Sequence, residues 1–384
     1  MTVMSSSRPL QQYLADSALA EILERAAPIL GRDNGSSSSP TCDWMARVPD
    51  ETKLVDMNLP GTHDAATWDY SDARQAELIK YTGPIREAVF FRCQERSLLQ
   101  SLNDGIRVFD LRLGYNVGND TIGFYHGVAM LGPTTTLQDV LYGLYNWLIA
   151  HPSETILVSI NQEAGSNTLY DKKFEEILFA TLNNELGKKF WLPVTGELGT
   201  LGAARGKLVL LQRFTYQFLS APANPFGIHL DAEQWTDNGG NIELVYTKAP
   251  KRVAYIQVGV SFIDVYLFTT TLGQDTFKPL VPPGSSADAN IRSKFEAVTG
   301  HLMKAINAFS DGQVDEALYV CFVSAHKNSD RITPNIIALG DASTTGMNER
   351  LLPWVSQHKG KRFGIVLLDF YHSQPGLVEA IIGL

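Results

Sequence analysis

His63 and Asp64 stand together in LPGTHD, directly after an apolar run. Asp110 and Arg112 lie two apart in IRVFDLRL, so in an extended segment they share one face. His126 closes TIGFYH. Asn161 and Glu163 follow TILVSI, Gln212 and Arg213 follow KLVLL, and Asp369 follows GIVLL. Polar groups thus recur where apolar runs stop. Singly, each has a plain structural reading. Asp64 would cap a helix, Asp110 and Arg112 would pair, and His126 would be a satisfied loop histidine. Together, two histidines, three aspartates and two arginines placed alike point to a site, because a charge at the edge of a buried run needs partners.

The chemistry open to such a set is specific. Two imidazoles, with ordinary pKa values near ~6.5, can act as base and acid at neutral pH. A carboxylate beside each would orient the ring and favour its charged form. An arginine between them would grip a phosphate oxygen and stabilise charge building on it. That combination suits in-line attack on a phosphodiester. The chain has no GxSxG elbow, no P-loop and no HExxH. A divalent metal calls for several inward carboxylates, and Arg112 takes the face where one would sit. No metal and no cofactor are therefore expected. The remaining histidines, His151, His229, His301, His326, His358 and His372, lack this context and read as structural or surface residues.

The elements that must hold these groups are legible as Val/Ile/Leu-rich runs at 53–59, 106–113, 121–126, 155–161, 207–214, 242–247, 317–324 and 362–370. Near-continuous apolar runs suit strands buried on both faces. Between them, 137–148, 172–187 and 289–309 have apolar residues at helical spacing. Only the second-to-third connection is too short for a helix. Eight strands with helical crossovers predict an α/β fold, a (β/α)8 TIM-type barrel, with a doubly wound open sheet as runner-up. In a barrel, all the polar run ends lie on one rim. Segment 255–288 is surplus to this scheme and reads as an aromatic-rich insertion. Residues 8–30 have helical spacing and 31–41 read as a Gly/Ser-rich linker. The expected organisation is an N-terminal helical extension over 1–41 and a barrel over 42–384.

The 384 residues carry 32 Lys plus Arg against 41 Asp plus Glu, a net charge of −9. An acidic chain is repelled by nucleic acid and by anionic membrane, so broad electrostatic binding to either is not expected. No apolar run approaches the roughly 20 residues that span a bilayer. The opening residues carry acids throughout and lack the compact apolar stretch of a signal peptide. Cys42, Cys93 and Cys321 are odd in number and widely spaced, which suggests neither a disulfide framework nor a zinc ribbon. Cytosol is the default compartment on these grounds; a mature secreted form with its leader removed stays open.

LPGTHDAATW, GIRVFDLRLG, YHG, HPSETILVSINQE, ARGKLVLLQRF and RFGIVLLDFY resemble, in order, the X-domain blocks of phosphatidylinositol-specific phospholipase C, closest to the bacterial, metal-independent type. The resemblance spans about 42–384 and is weak over 215–316. It implies a distorted, incompletely closed barrel. It also implies His63 as general base paired with Asp369, and His126 as general acid paired with Asp64. Arg112, supported by Asp110, would replace calcium. The implied reaction is cleavage of phosphatidylinositol, or a related inositol phospholipid, to inositol 1,2-cyclic phosphate and diacylglycerol. Substrate contacts would come from Arg213, Asn161, Glu163 and Tyr246. Asn161 stands where the bacterial type has a lysine, and Tyr246 is what the alignment places on the sixth strand, where no acidic residue is evident. A phospholipid substrate and peripheral contact with a membrane surface follow. Tyr255, Phe262, Tyr266, Phe268 and Phe277 are candidates to enter the interface, with packing inside the insertion equally open. No nucleic acid and no protein partner are indicated. Two alternatives remain: a metal-dependent glycerophosphodiesterase-like hydrolase and a non-catalytic inositol-lipid-binding module.

Overall fold

The computed structural model describes residues 10–32, 39–219, 224–235, 242–258, 260–262, 281–282, 284–310, 317–327 and 330–384. Eight strands run parallel: β1 (Leu59–Thr62), β2 (Val108–Tyr115), β3 (Ile156–Gln162), β4 (Leu208–Arg213), β5 (Ile228–His229), β6 (Lys251–Gln257), β7 (Leu318–Phe322) and β8 (Ile365–Leu368). Their order in the sheet is β5-β4-β3-β2-β1-β8-β7-β6, and Ile242–Lys248 is added antiparallel to β6. Among the described residues, β5 and Ile242–Lys248 do not pair, so the barrel is incompletely closed on that side. The expected fold class holds, and the runner-up open sheet does not.

The membership of the eight differs from expectation in two places. Ile122–His126 pairs antiparallel with the far end of β2, Leu113 opposite Phe124 and Tyr115 opposite Ile122. The link is too short for a crossover helix, so the chain turns back as a hairpin. Ile242–Lys248 is likewise no barrel strand. Its buried Ile242 and Leu244 alternate with exposed Glu243 and Val245, the pattern of a strand with one solvated face. The places are taken by β5, too short to leave a pattern, and by β6, which the expected insertion at 255–288 cut in two. The first run also shifts: Leu54–Asp56 forms a 3-10 turn, and the strand proper is Leu59–Thr62.

Side-chain alternation divides the core into two layers. Leu59, Val108, Leu157, Val209, Leu211, Ile256, Val320 and Leu367 pack inside the barrel. Phe109, Leu111, Val158, Ile160, Leu210, Cys321 and Val366 pack outward under the helices. Further along the same inward faces, two or four residues beyond the apolar positions, come Asp110 and Arg112 on β2, Asn161 on β3 and Arg213 on β4. The parallel register sets Arg112 beside Asn161, and Asn161 beside Arg213. Each inward face therefore changes from apolar to polar toward the carboxyl end of its strand. At the other end, Arg107 and Glu154 form an ion pair of 2.7 Å with both side chains fully buried.

Helix α1 (Leu10–Leu30) packs on helix α2 (Leu137–Ala150) through its last turns, where Ala26, Ala27, Ile29 and Leu30 are buried. Arg25 pairs with Asp139 at 2.8 Å, and Trp68 Nε1 donates to Ile29 O at 2.8 Å. Leu10, Tyr13 and Leu14 are exposed. Helix α3 (Ala287–Ser310) covers β7. Tyr255 stacks on Tyr319 with ring centres 5.3 Å apart, so it belongs to this outer layer and not to an interfacial loop. Tyr266, Phe268, Phe277 and the side chain of Phe262 lie outside the described residues.

Gly61 shows how tightly β1 is held. A Cβ there would lie 2.6 Å from Leu367 Cδ2 and 2.8 Å from Val108 Cβ. Gly61→Ala is expected to cost about 1–3 kcal/mol, the usual penalty of overpacking. Denaturant unfolding checks this, and an unchanged midpoint would contradict the packing described.

Candidate active site

His63 begins where β1 ends. Its backbone N–H donates to Leu368 O at 3.1 Å, which continues the β1–β8 ladder. Its Nδ1 lies 2.9 Å from Asp369 Oδ1, on the residue that follows β8. On the other side of the ring, Nε2 lies 2.8 Å from Arg112 Nη2. A guanidinium only donates, so Nε2 accepts and the ring proton sits on Nδ1, directed at Asp369. The pair thus presents a neutral imidazole with its lone pair toward the barrel mouth.

Asp64 turns the chain sharply, with φ 42° and ψ 52°. This left-handed conformation is one that Asp adopts more readily than most residues. The turn buries its carboxylate at the centre of the cluster. Oδ2 lies 3.0 Å from His63 Nε2 and 3.2 Å from His126 Nε2, while Oδ1 lies 3.0 Å from Arg112 Nε. His126 arrives on the hairpin strand, and its Nδ1 donates to Phe91 O at 2.7 Å. With Nδ1 so committed, the contact from Nε2 to Asp64 is favourable when the ring is doubly protonated. The two rings stand edge to face, centroids 6.2 Å apart.

Arg112 also meets Asp110 Oδ2 at 3.2 Å and Glu163 Oε2 at 3.5 Å, and Asp110 Oδ1 pairs with Arg213 at 2.7 Å. Burial pushes the Asp64 carboxyl up to about 6, against the pull of Arg112 and His126. Asp369 is also raised, by burial and then by Asp64. Burial would raise Asp110 too, but Arg112 and Arg213 outweigh it and hold it low. His63 is held well below its ordinary value, by burial first and then by Arg112 and His126. The cluster therefore keeps one ring neutral beside a guanidinium and sets the other against a carboxylate.

These groups open into a cavity of about 690 Å³. His63, His126, Arg112, Asn161, Glu163, Arg213 and Asp369 all line it, with Asp64 and Asp110 directly behind. Tyr246 does not line it. It lies on the antiparallel strand and packs against the inner apolar cluster, because the segment taken for the sixth barrel strand is an edge strand. The wall assigned to it is formed after β5, by Glu233 and Trp235. The Arg213 guanidinium lies 4.0 Å from the Trp235 ring centre. His326, read as structural or surface, also lines the cavity, and burial lowers it to about 3.

Sequence reasoning also missed the bracket formed by 91–94. Phe91 O orients His126, Cys93 O accepts from Phe370 N at 3.0 Å, and Gln94 Nε2 donates to His63 O at 2.7 Å and to Leu368 O at 2.9 Å. Nothing in the periodicity of those residues marks them. As for metals, His63, Asp64 and Cys93 have ligand atoms within 4.8 Å of one another. The carboxylates that a hard divalent ion would need, Asp64, Asp110 and Glu163, already engage Arg112.

Residues 82–214 match the family model described as phosphatidylinositol-specific phospholipase C, X domain. The chain is 28% identical over 205 residues to a 1-phosphatidylinositol phosphodiesterase of Staphylococcus aureus (strain Newman), covering 53% of this chain and 59% of that one. It is 30% identical over 200 residues to the protein of the same name from Listeria monocytogenes, covering 51% and 56%. The chain thus spans little more than half the length of these curated relatives. Among solved structures, a phosphatidylinositol-specific phospholipase C of S. aureus superposes with TM-score 0.63 at 21% identity, covering 91% of this chain and 98% of that one. The L. monocytogenes enzyme does so with TM-score 0.58 at 23% identity, covering 89% and 97%. These likenesses establish the fold. Among the described residues, no helix is long and apolar enough to cross a membrane.

The depression of His63 has a checkable cause. Removing the guanidinium in Arg112→Gln takes away a positive neighbour, so the His63 pKa is expected to move up toward 6.5. NMR titration of the imidazole resonances measures this, and an unmoved or lower value would refute the assigned electrostatics.

Proposed function

We propose, on the premise that residues 82–214 carry the X domain of phosphatidylinositol-specific phospholipase C, that this barrel cleaves phosphatidylinositol or a closely related inositol phospholipid by internal hydroxyl attack. The observation that carries the reading is the shared carboxylate: one oxygen of Asp64 reaches both imidazoles while the other holds Arg112. In this reading His63 is the base, His126 the acid and Arg112 the phosphate-binding cation around one point.

In the proposed reaction, His63 Nε2 takes the proton of the inositol 2-hydroxyl, and Asp369 stabilises the imidazolium that results. The hydroxyl oxygen bonds to phosphorus as the bond to the glycerol oxygen breaks. His126 Nε2 delivers its proton to that leaving oxygen. The products are inositol 1,2-cyclic phosphate and diacylglycerol. Arg112, whose Nη2 otherwise donates to His63, is placed to grip the phosphate oxygens and stabilise their developing charge. Asp110 holds both Arg112 and Arg213. The headgroup would rest against Arg213, Trp235, Glu233 and Asn161. Asn161 in place of a lysine removes one positive charge from that wall, so phosphodiester cleavage is better supported than the identity of the headgroup. Since the lipid lies in a bilayer, contact with the membrane is peripheral.

Phosphorus NMR of the products from phosphatidylinositol tests the reading. A five-membered cyclic phosphate is expected, and a linear phosphate as the only product would overturn it. His63→Ala and His126→Ala should each lower the rate by about 10²–10⁴ without unfolding the chain. Arg112→Asp should nearly abolish metal-free turnover. Activity that disappears with chelator would favour the metal-dependent hydrolase, and absence of turnover on any diester would favour a binding module. The pH dependence has a definite sign. The base works only when neutral, and its pKa is depressed, so the acid limb of kcat/KM should lie below 6.5. Rate–pH profiles check this, and an acid limb above 6.5 would exclude His63 as the base.

A further inference from the structure

At the amino ends of the barrel strands, far from the histidine pair, the chain enters the main domain through Thr41, Cys42 and Asp43. There Cys42, Asp43 and His151 each offer a ligand atom, all within 4.8 Å of one another. His151 caps the carboxyl end of α2. Its Nδ1 lies 2.8 Å from Trp147 O. A carbonyl only accepts, so Nδ1 carries the proton and Nε2 carries the lone pair. Metal-binding histidines are commonly oriented by such a donation to a backbone carbonyl. The ring is further held by stacking on Trp147, centroids 4.0 Å apart and planes 14° from parallel.

Cys42 is fixed from the other side. Its thiol lies 3.7 Å from Asn103 Oδ1, the atom that also accepts from Trp147 Nε1 at 3.0 Å. Its carbonyl accepts from Arg107. Because Arg107 is itself paired with Glu154, little net positive charge opposes a bound ion. Asp43 is exposed, and a cavity of about 320 Å³ between α1 and α2 reaches Trp147 and His151.

We propose that Cys42, Asp43 and His151 form a binding site for a thiophilic divalent cation of the zinc class. The ligands are the Cys42 thiolate, one Asp43 oxygen and His151 Nε2, with water in the fourth tetrahedral position. A sulfur, nitrogen and oxygen set of this kind suits zinc rather than magnesium or calcium. Binding displaces the thiol proton to solvent and leaves all three ligands covalently unchanged. The ion would join the segment entering the domain to the end of α2, the helix on which α1 rests. It therefore serves as a clasp on the N-terminal extension and takes no part in the chemistry at the opposite rim.

The test uses the full chain, stripped by chelator and titrated with cadmium, with the thiolate-to-metal charge-transfer band in the ultraviolet as readout. One equivalent should saturate the band, zinc should compete for it, and zinc loading should raise the melting temperature. Cys42→Ser should abolish the band. Asp43→Asn should weaken binding by about tenfold or more, and so should His151→Phe, which keeps the stack on Trp147 but removes Nε2. Cys93→Ser, which alters the other cluster with metal-ligand spacing, should leave the band intact. Absence of a band in the unaltered chain overturns the proposal, as does a band that survives Cys42→Ser or vanishes in Cys93→Ser. Should Cys42→Ser fail to fold, undiminished binding in both Asp43→Asn and His151→Phe overturns it equally.

Discussion

One buried carboxylate organises the carboxyl-end rim of this barrel. Asp64 touches His63, His126 and Arg112 at 3.0–3.2 Å, and its side chain is only 1% exposed. The cost of burying it is offset by the Arg112 guanidinium and by His126, while His63 meets it through a neutral ring. The same closeness sets the protonation states. Burial and then the guanidinium keep His63 neutral. The left-handed backbone at Asp64 is what brings its carboxylate into this position: an extended residue after β1 would continue the strand outward. The Gln94 amide, bridging His63 O and Leu368 O, closes β1 and β8 around that turn.

The rest of the barrel supports this junction through a simple gradient. On β2, β3 and β4, inward side chains are apolar at the amino ends of the strands and polar at the carboxyl ends. Parallel register then places residues of like height side by side, so Arg112, Asn161 and Arg213 form a row without any local sequence relation. The row is electrostatically mixed. Asp110 divides its two oxygens between Arg112 and Arg213, which fixes both guanidiniums and leaves Arg213 stacked on Trp235. Fixed cations of this kind need little reorganisation when charge develops on a bound phosphate. The chain as a whole carries −9, so this local concentration of guanidinium stands against the sign of the surrounding molecule.

The two ends of the barrel are built on different principles. At the carboxyl rim, charges are clustered and partly open to a large cavity. At the amino end, Arg107 and Glu154 are completely enclosed, and Arg107 ties the entering chain through Cys42 O. The extension α1 is joined to that end through α2, where Leu30 Cδ2 occupies the place that a Cβ on Gly143 would take, 2.1 Å away. Stability and chemistry are thus kept at opposite ends of the same strands.

Much of this was legible along the chain. Buried parallel strands leave apolar runs, and a change to polar residues at their ends marks the rim, so His63, Asp64, Asp110, Arg112, His126, Asn161, Glu163, Arg213 and Asp369 could all be picked out by position. What periodicity does not encode is which runs become neighbours. The run at 121–126 looks like any other strand, and only its pairing with β2 makes it the hairpin that carries His126 over the mouth. Two-residue β5 leaves no pattern, so Glu233 and Trp235 went unseen and Tyr246 was set in their place. Phe91 and Gln94 act through a backbone carbonyl and a side-chain amide in an irregular segment. Residue type and spacing determined the chemistry available. The tertiary structure alone decided who stands next to whom, because contacts between distant segments depend on register, turn geometry and close packing, none of which is written in local sequence.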